Sequence, residues 1–233
     1  MFSTLFAPLL LVVPVLALPN VKHQCCNLSN TTLLLPSNQT ALAVPTDAPS
    51  FVAVAVGVQN YTCNATALTY SNVGAVADLF DVSCISGTSQ FSTIGNDAFG
   101  IWNHTSSSVT GQDVIKKLGL NLQLLGHHYY VPNPNTTAGS PAISPKWDFT
   151  SDAEKGNAEA FVIGAKVGDL PAPTGKNDVD WVQLKKVEGE LANTVYRVKT
   201  KGGQPPTSCT VGDPSLSVKY TAQYWLYGAN FKR

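Results

Sequence analysis

Charge is scarce in this chain. Fifteen basic and fifteen acidic side chains make up 13% of its 233 residues, roughly half the share usual in soluble globular proteins. They cancel to a formal charge of zero. Nucleic-acid binding rests on an excess of Lys and Arg, so nucleic acid is not expected as a partner, and neither is a polybasic membrane patch. Nucleotide fingerprints are missing too: neither Gly-x-Gly-x-x-Gly nor Gly-x-x-x-x-Gly-Lys occurs. Gly202-Gly203 is followed by Gln204-Pro205-Pro206, and proline there removes the N–H donors that a phosphate needs. Gly-x-Ser-x-Gly is absent, which leaves an α/β-hydrolase reading without support. Without Cys-x-x-Cys, zinc and thioredoxin-like readings have little footing. No cofactor and no metal site is expected. No apolar run reaches the ~20 residues of a membrane span.

The longest apolar run, Leu5 to Leu18, is interrupted by Pro8 and Pro14. It suits the h-region of a secretory signal, and Val15 and Ala17 place cleavage after Ala17. The n-region carries only the α-amino charge; the alternative is a buried N-terminal strand. Residues 1–17 are thus expected to be a signal peptide, 18–50 an extended glycosylated lead-in, and 51–233 one β-rich domain of a secreted, extracellular protein. Asn-x-Ser/Thr sequons at Asn27, Asn30, Asn38, Asn60, Asn64, Asn103 and Asn135 fit a glycoprotein. The five cysteines, Cys25, Cys26, Cys63, Cys84 and Cys209, are expected to form disulfides in an oxidising compartment. The expected pairs are Cys63 with Cys209, and Cys84 with Cys25 or Cys26, leaving one thiol over.

From Phe51 onward the pattern is β. Val52, Val54, Val56 and Val58 share one face of a strand running to Cys63. Continuing that parity would turn the Asn60 sequon inward, so a bulge near Gly57 is expected to flip the facing of the residues beyond it. Leu216, Val218, Tyr220, Ala222, Tyr224 and Leu226 alternate with polar residues and Trp225, the pattern of a half-buried antiparallel strand. Further strands are predicted at Leu124–Val131, Ala158–Val167, Trp181–Val187 and Leu191–Thr200, the last two joined by a turn at Glu188-Gly189-Glu190. Short helices are predicted at Val73–Val82 and Gln112–Leu118. Ser83–Ser108 reads as loop, and 132–146, rich in proline, as a surface excursion. The fold class is all-β: a single antiparallel barrel or sandwich with minor short helices. Alternating βα units are absent, which disfavours a parallel doubly wound sheet.

Candidate chemistry is sparse. His127 and His128 are adjacent, and neighbours on a strand point to opposite faces, so they cannot share a metal. Asp148, Asp152, Asp180, Glu188 and Glu190 fall in turns or at strand ends, where no two are held at a glycosidase separation. Tyr61, Tyr129, Tyr130, Trp147, Trp181, Tyr220, Tyr224, Trp225 and Tyr227 concentrate on the predicted strands. They suit either core packing or a ligand face. Arg197 lies mid-strand, and if buried it must be paired or bind an anion.

In order, Gly57-Val58-Gln59-Asn60-Tyr61-Thr62-Cys63, Gly126-His127-His128-Tyr129, Trp147, Asp180-Trp181, Arg197, Gly202-Gly203-Gln204-Pro205-Pro206, Cys209 and Tyr220-Thr221-Ala222-Gln223-Tyr224 resemble a secreted domain-of-unknown-function family of fungi and bacteria. The resemblance covers roughly residues 33–228. It implies one β-rich domain with no activity to carry over. Fungal members often bear the label malate dehydrogenase. The residues give that label no support, because a dinucleotide-binding βαβ unit and its arginine cluster are missing. The stretch between Tyr129 and Trp147 is longer than the family pattern and holds the Asn135 sequon, which leaves the position of Trp147 relative to His128 open. The leading expectation is a non-catalytic protein that binds a carbohydrate, cell-wall or small-molecule ligand, with Gln59, Tyr61, His128, Trp147, Arg197 and Tyr220 as candidate contacts. The alternative is an extracellular carbohydrate-active hydrolase or lyase.

Overall fold

A computed structural model of the protein describes residues 26–106 and 108–231. The predicted signal segment and Cys25 lie outside the described residues. The described residues form eight strands and two short α-helices: β1 (Phe51–Asn64), β2 (Thr69–Asp81), α1 (Ser89–Trp102), α2 (Gly111–Lys117), β3 (Leu124–Pro132), β4 (Ile143–Asp148), β5 (Phe161–Leu170), β6 (Trp181–Glu188), β7 (Thr194–Gly202) and β8 (Leu216–Tyr227). Each strand pairs antiparallel with the next, and β8 returns to β1, closing an up-and-down barrel. The all-β expectation holds, as a barrel and not a sandwich.

Alternation along the strands divides the side chains between two cores. Phe51, Ala53 and Ala55 of β1, Ala77 and Leu79 of β2, Val182 and Leu184 of β6, and Tyr220, Ala222, Tyr224 and Leu226 of β8 fill the barrel interior. Small residues on β1 and β2 leave room there for large rings arriving from β4 and β8. The second core lies outside the wall. Val52, Val54 and Val56 belong to it, with Phe80, Tyr196, Val198 and Trp225, beneath Phe91, Ile94, Ala98 and Trp102 of α1 and Val114 and Ile115 of α2. The valine stripe therefore faces out of the barrel, under helices, and its partner stripe faces in. Removing each of these larger aliphatic side chains from water contributes ~1.5–3 kcal/mol.

That arrangement corrects the bulge expectation. Pairing runs regularly through Gly57 on both sides, and the irregularity sits between Asn60 and Tyr61, where Val73 is the extra residue on β2. Asn60 faces outward without any flip, and its Oδ1 accepts a hydrogen bond from Ser217 Oγ. Likewise β8 is not half-buried over its length. From Tyr220 to Tyr227 every residue is buried, because α1 lies against its outer face. Thr221 Oγ1 donates to Gly95 O (2.7 Å) and Gln223 Nε2 to Phe91 O (2.7 Å). Lys219 Nζ donates to Trp102 O (2.8 Å), placing a cation at the helix C-terminus where the dipole favours it.

Two helix and loop expectations fail. Val73–Val82 is most of β2. Val73, Val76, Ala77 and Phe80 imitate helical spacing, but a ladder with β1 and Gly74 at φ 134° hold the segment extended. Ser83–Ser108, read as loop, contains α1, whose N-cap Thr88 accepts from Phe91 N–H and whose buried positions Phe91, Ile94, Gly95, Ala98 and Trp102 follow helical periodicity. Within 132–146, residues from Ile143 on belong to β4. The helix expected at Gln112–Leu118 is α2, fastened by a capping box of Thr110 and Asp113.

Residues 26–50 carry no helix or strand and lie along the barrel exterior. Leu28, Leu33 and Leu42 enter the outer core. Gln183 Oε1 accepts from Ala43 N–H (2.9 Å), and the Tyr196 hydroxyl donates to Ala43 O (2.8 Å). Cys26 pairs with Cys84 (Cα–Cα 4.9 Å), and Cys63 with Cys209 (5.8 Å). The two disulfides fit an extracellular protein, and among the described residues no helix is long and apolar enough to cross a membrane.

Candidate functional site

The barrel interior is packed at one end and open at the other. Phe51, Phe149, Leu125, Leu191 and Leu226 close the first end, and Phe51 meets Phe149 edge to face at 5.2 Å. At the other end, a cleft of about 660 Å³ opens between the later residues of β1, β3, β5 and β7 and the earlier residues of β2, β4 and β6. That volume lies within the range of small-molecule sites. Val179, Val182, Leu184, Ile143 and Pro145 supply apolar wall; Gln59, Tyr61, Tyr130, Asp180 and Arg197 supply polar groups.

Below the cleft lies a fully buried aromatic group. His128 stacks on Trp147 with ring centres 4.7 Å apart and planes 16° from parallel. Tyr224 meets both rings, at 5.3 and 5.4 Å, and the Tyr220 and Tyr224 hydroxyls are 3.2 Å apart. His128 and Trp147 are register partners, so the long β3–β4 connection does not separate them. His128 Nδ1 lies 2.9 Å from the Lys146 carbonyl oxygen, which makes that nitrogen the N–H donor. Burial drives the imidazole pKa down to about 3, leaving it neutral. No carboxylate faces it among the described residues.

Arg197 hangs above these rings. Its Nε and Nη2 donate to the main-chain oxygen of Asp180 at 3.1 and 3.0 Å. Burial opposes its charge, yet the phenolic oxygens of Tyr224, Tyr130 and Tyr220 hold its pKa above the ordinary value. Among the described residues no carboxylate oxygen comes within 4.0 Å of the guanidinium. Burial raises the pKa of Tyr61 and Tyr130, so both are neutral phenols at physiological pH. The Asp180 carboxyl is raised by burial and then by the neighbouring Asp169, whose own carboxylate is held by Lys166.

The Gly202-Gly203 turn has a structural reason here. Gly203 sits at φ 90°, where a β-carbon would come within 2.9 Å of the Tyr220 and Val179 side chains, and its carbonyl accepts from the Tyr61 hydroxyl (2.8 Å). Asp178 secures the same turn through Gly202 N–H (2.7 Å) and Lys201 (3.2 Å). Gln59 is 2% exposed; its Oε1 accepts from Asn72 at 3.2 Å, while its Nε2 has no partner.

The six candidates therefore share the barrel interior. Gln59, Tyr61 and Arg197 line the cleft, whereas His128, Trp147 and Tyr220 are buried beneath it. Tyr130, Lys166, Asp169 and Asp180 join them at the cleft, and Asp178 at the turn beside it. Tyr130 was visible in the sequence as a strand aromatic sharing His128's parity; Lys166, Asp169 and Asp178 carried no signal beyond their charge. Of the acids weighed for sugar hydrolysis, only Asp180 lines the cleft. The aromatics mostly pack inside instead of forming an open face. His127 points away from the barrel interior, between Asp78 (3.0 Å) and Asp152 (3.3 Å), and the Asp78 hydrogen bond raises its pKa.

Compared with known proteins, residues 45–228 match the model of one family, described as "Protein of unknown function (DUF3455)". No curated protein and no solved structure matches the chain.

Proposed function

Because the chain belongs to this DUF3455 family, whose description assigns no activity, we propose its function from its sequence and geometry: a secreted glycoprotein that binds a small organic molecule in the open half of its barrel, without catalysing a reaction. The cleft carries the reading. It combines an apolar wall with a few convergent polar groups, the composition of small-molecule sites, above a fully packed floor. Export is supported by the two disulfides and the apolar N-terminal run. Glycosylation is supported by the exposure of the Asn27, Asn30, Asn38, Asn64, Asn103 and Asn135 side chains, with Asn60 also on the outer surface.

The test uses the secreted protein and a neutral polarity-sensitive dye, N-phenyl-1-naphthylamine, beside a metabolite and glycan screen. The dye is expected to brighten and saturate with one site per chain. Ile143→Trp, which places an indole in the cleft, is expected to abolish binding while cooperative unfolding persists. Dye binding that is unchanged by Ile143→Trp, or absent from the wild type together with every screened compound, overturns the proposal. A second reading, carbohydrate hydrolysis, draws on the raised Asp180 beside Asp169. Sugar release that disappears in Asp180→Asn would establish it in place of the first.

A further inference from the structure

Two cations, Arg197 and Lys166, and two acids, Asp169 and Asp180, line the cleft, and how each is engaged says what kind of molecule it takes. Arg197 brings a guanidinium to the interior that is satisfied only in part. One edge reaches a main-chain oxygen, the Tyr224 phenol lies nearby, and no carboxylate neutralises it at contact distance among the described residues. A partly buried cation in such a setting is stabilised strongly by an anion that can meet its planar fork. The second observation is independent. Gln59, 2% exposed, lines the same cleft with its Nε2 unpartnered. A buried donor left unmade is destabilising, and a ligand oxygen would satisfy it. Tyr130 adds a neutral phenol to the same wall. The acids of the cleft do not take up the guanidinium. Asp169 is held by Lys166, and the Asp180 carboxyl is pushed toward its neutral form by burial and by the neighbouring Asp169 while its main-chain oxygen occupies Arg197.

Resting on the reading of the cleft as a small-molecule site, we infer that its ligand is an organic carboxylate. The carboxylate meets Arg197, an oxygen acceptor reaches Gln59 Nε2, and an apolar or aromatic body lies against Val182, Leu184 and Ile143. The cleft's volume, about 660 Å³, accommodates a body of one or two rings or an equivalent hydrocarbon.

The experiment compares 2-naphthoate with its neutral isostere 2-naphthamide and its cationic counterpart 2-naphthylmethylamine, each displacing N-phenyl-1-naphthylamine from the full secreted chain. Wild-type protein is expected to prefer the carboxylate over the amide by tenfold or more and to bind the amine weakest. Arg197→Met is expected to reduce that preference to about twofold or less while still binding the neutral dye. Gln59→Leu, which leaves Arg197 in place, is expected to weaken 2-naphthoate severalfold; it also provides the readout if Arg197→Met does not unfold cooperatively. Equal affinity for acid and amide, preference for the amine, or a carboxylate preference that survives Arg197→Met overturns the inference while dye binding leaves the cleft reading intact. Loss of dye binding from wild type removes the cleft reading itself.

Discussion

Acidification from pH 7 to pH 5 isolates the buried imidazole of His128. In the unfolded chain this side chain titrates near ~6.5. In the folded barrel burial holds it down at about 3. Between those values the unfolded state binds a proton that the native state refuses, so stability falls as pH drops below about 6.5 and continues to fall toward 3. The slope approaches ~1.4 kcal/mol per pH unit, which integrates to about 2 kcal/mol between pH 7 and pH 5. His127 works in the opposite sense. Its folded pKa is raised by Asp78, so its stabilisation is present below the unfolded pKa and is lost as pH rises through the folded one. The wild-type curve therefore mixes two terms, and a variant separates them. His128→Asn keeps an N–H donor near the Lys146 carbonyl but cannot titrate. Urea unfolding at both pH values, with m held constant, is expected to give a wild-type loss about 2 kcal/mol larger than the variant's. Loss of the stack on Trp147 lowers the variant at both pH values alike and drops out of the difference. Parallel wild-type and variant curves would show that His128 is not shielded in the barrel. They would also restore it as a base for catalysis, a role its low pKa now disfavours.

Gly57→Ala is expected to cost about 3 kcal/mol or more in chemical unfolding, at the upper end of overpacking, because a β-carbon there would lie 2.1 Å from Val76 O; a stable, cooperatively unfolding variant would contradict that contact. Asp148→Asn removes the negative charge facing Lys146 at 2.8 Å and the Tyr129 hydroxyl at 2.6 Å and is expected to cost about 1–2 kcal/mol at pH 7. Burial alone would raise the Asp148 carboxyl, but Lys146, Tyr129 and Thr150 pull it below the usual carboxylate range. The wild type should therefore lose this advantage as pH falls below about 4, and the two proteins should converge in acid unfolding. Replacing Cys63 and Cys209 together by alanine opens a link across 146 residues, and chain entropy sets the loss at up to about 5 kcal/mol. An unchanged melting temperature would mean that the rim is held by other contacts.

The strands that alternate strongly were legible, whereas Gln59, Tyr61, His128, Trp147, Arg197 and Tyr220 could be named as candidates but not placed relative to one another. The barrel brings them together because all six occupy the inward parity of their strands. The sense of the valine stripe was not legible. Alternation distinguishes two faces, but it cannot say which is interior when α1 and α2 make the outer face equally dry. For the same reason Thr221 and Gln223 look like solvent-facing positions and are instead hydrogen-bonded to helix carbonyls. β2 misled because Val73 is a bulge, which shifts the apolar period from two toward a helical spacing. α1 was hidden by its glycines and serines, although the cap at Thr88 and the spacing of Phe91, Ile94, Ala98 and Trp102 were present. Cys26 was separable from Cys25 only once the lead-in was laid along the wall.

A barrel stoppered at one end and uncapped at the other divides its duties by storey. The lower storey, from Phe51 to Phe149 and Leu226, bears the weight of the fold. The upper storey, with its loops around Asn133, Pro141 and Gln204, surrounds the cleft. Substitutions upstairs can reshape the open end while the foundation stays unchanged.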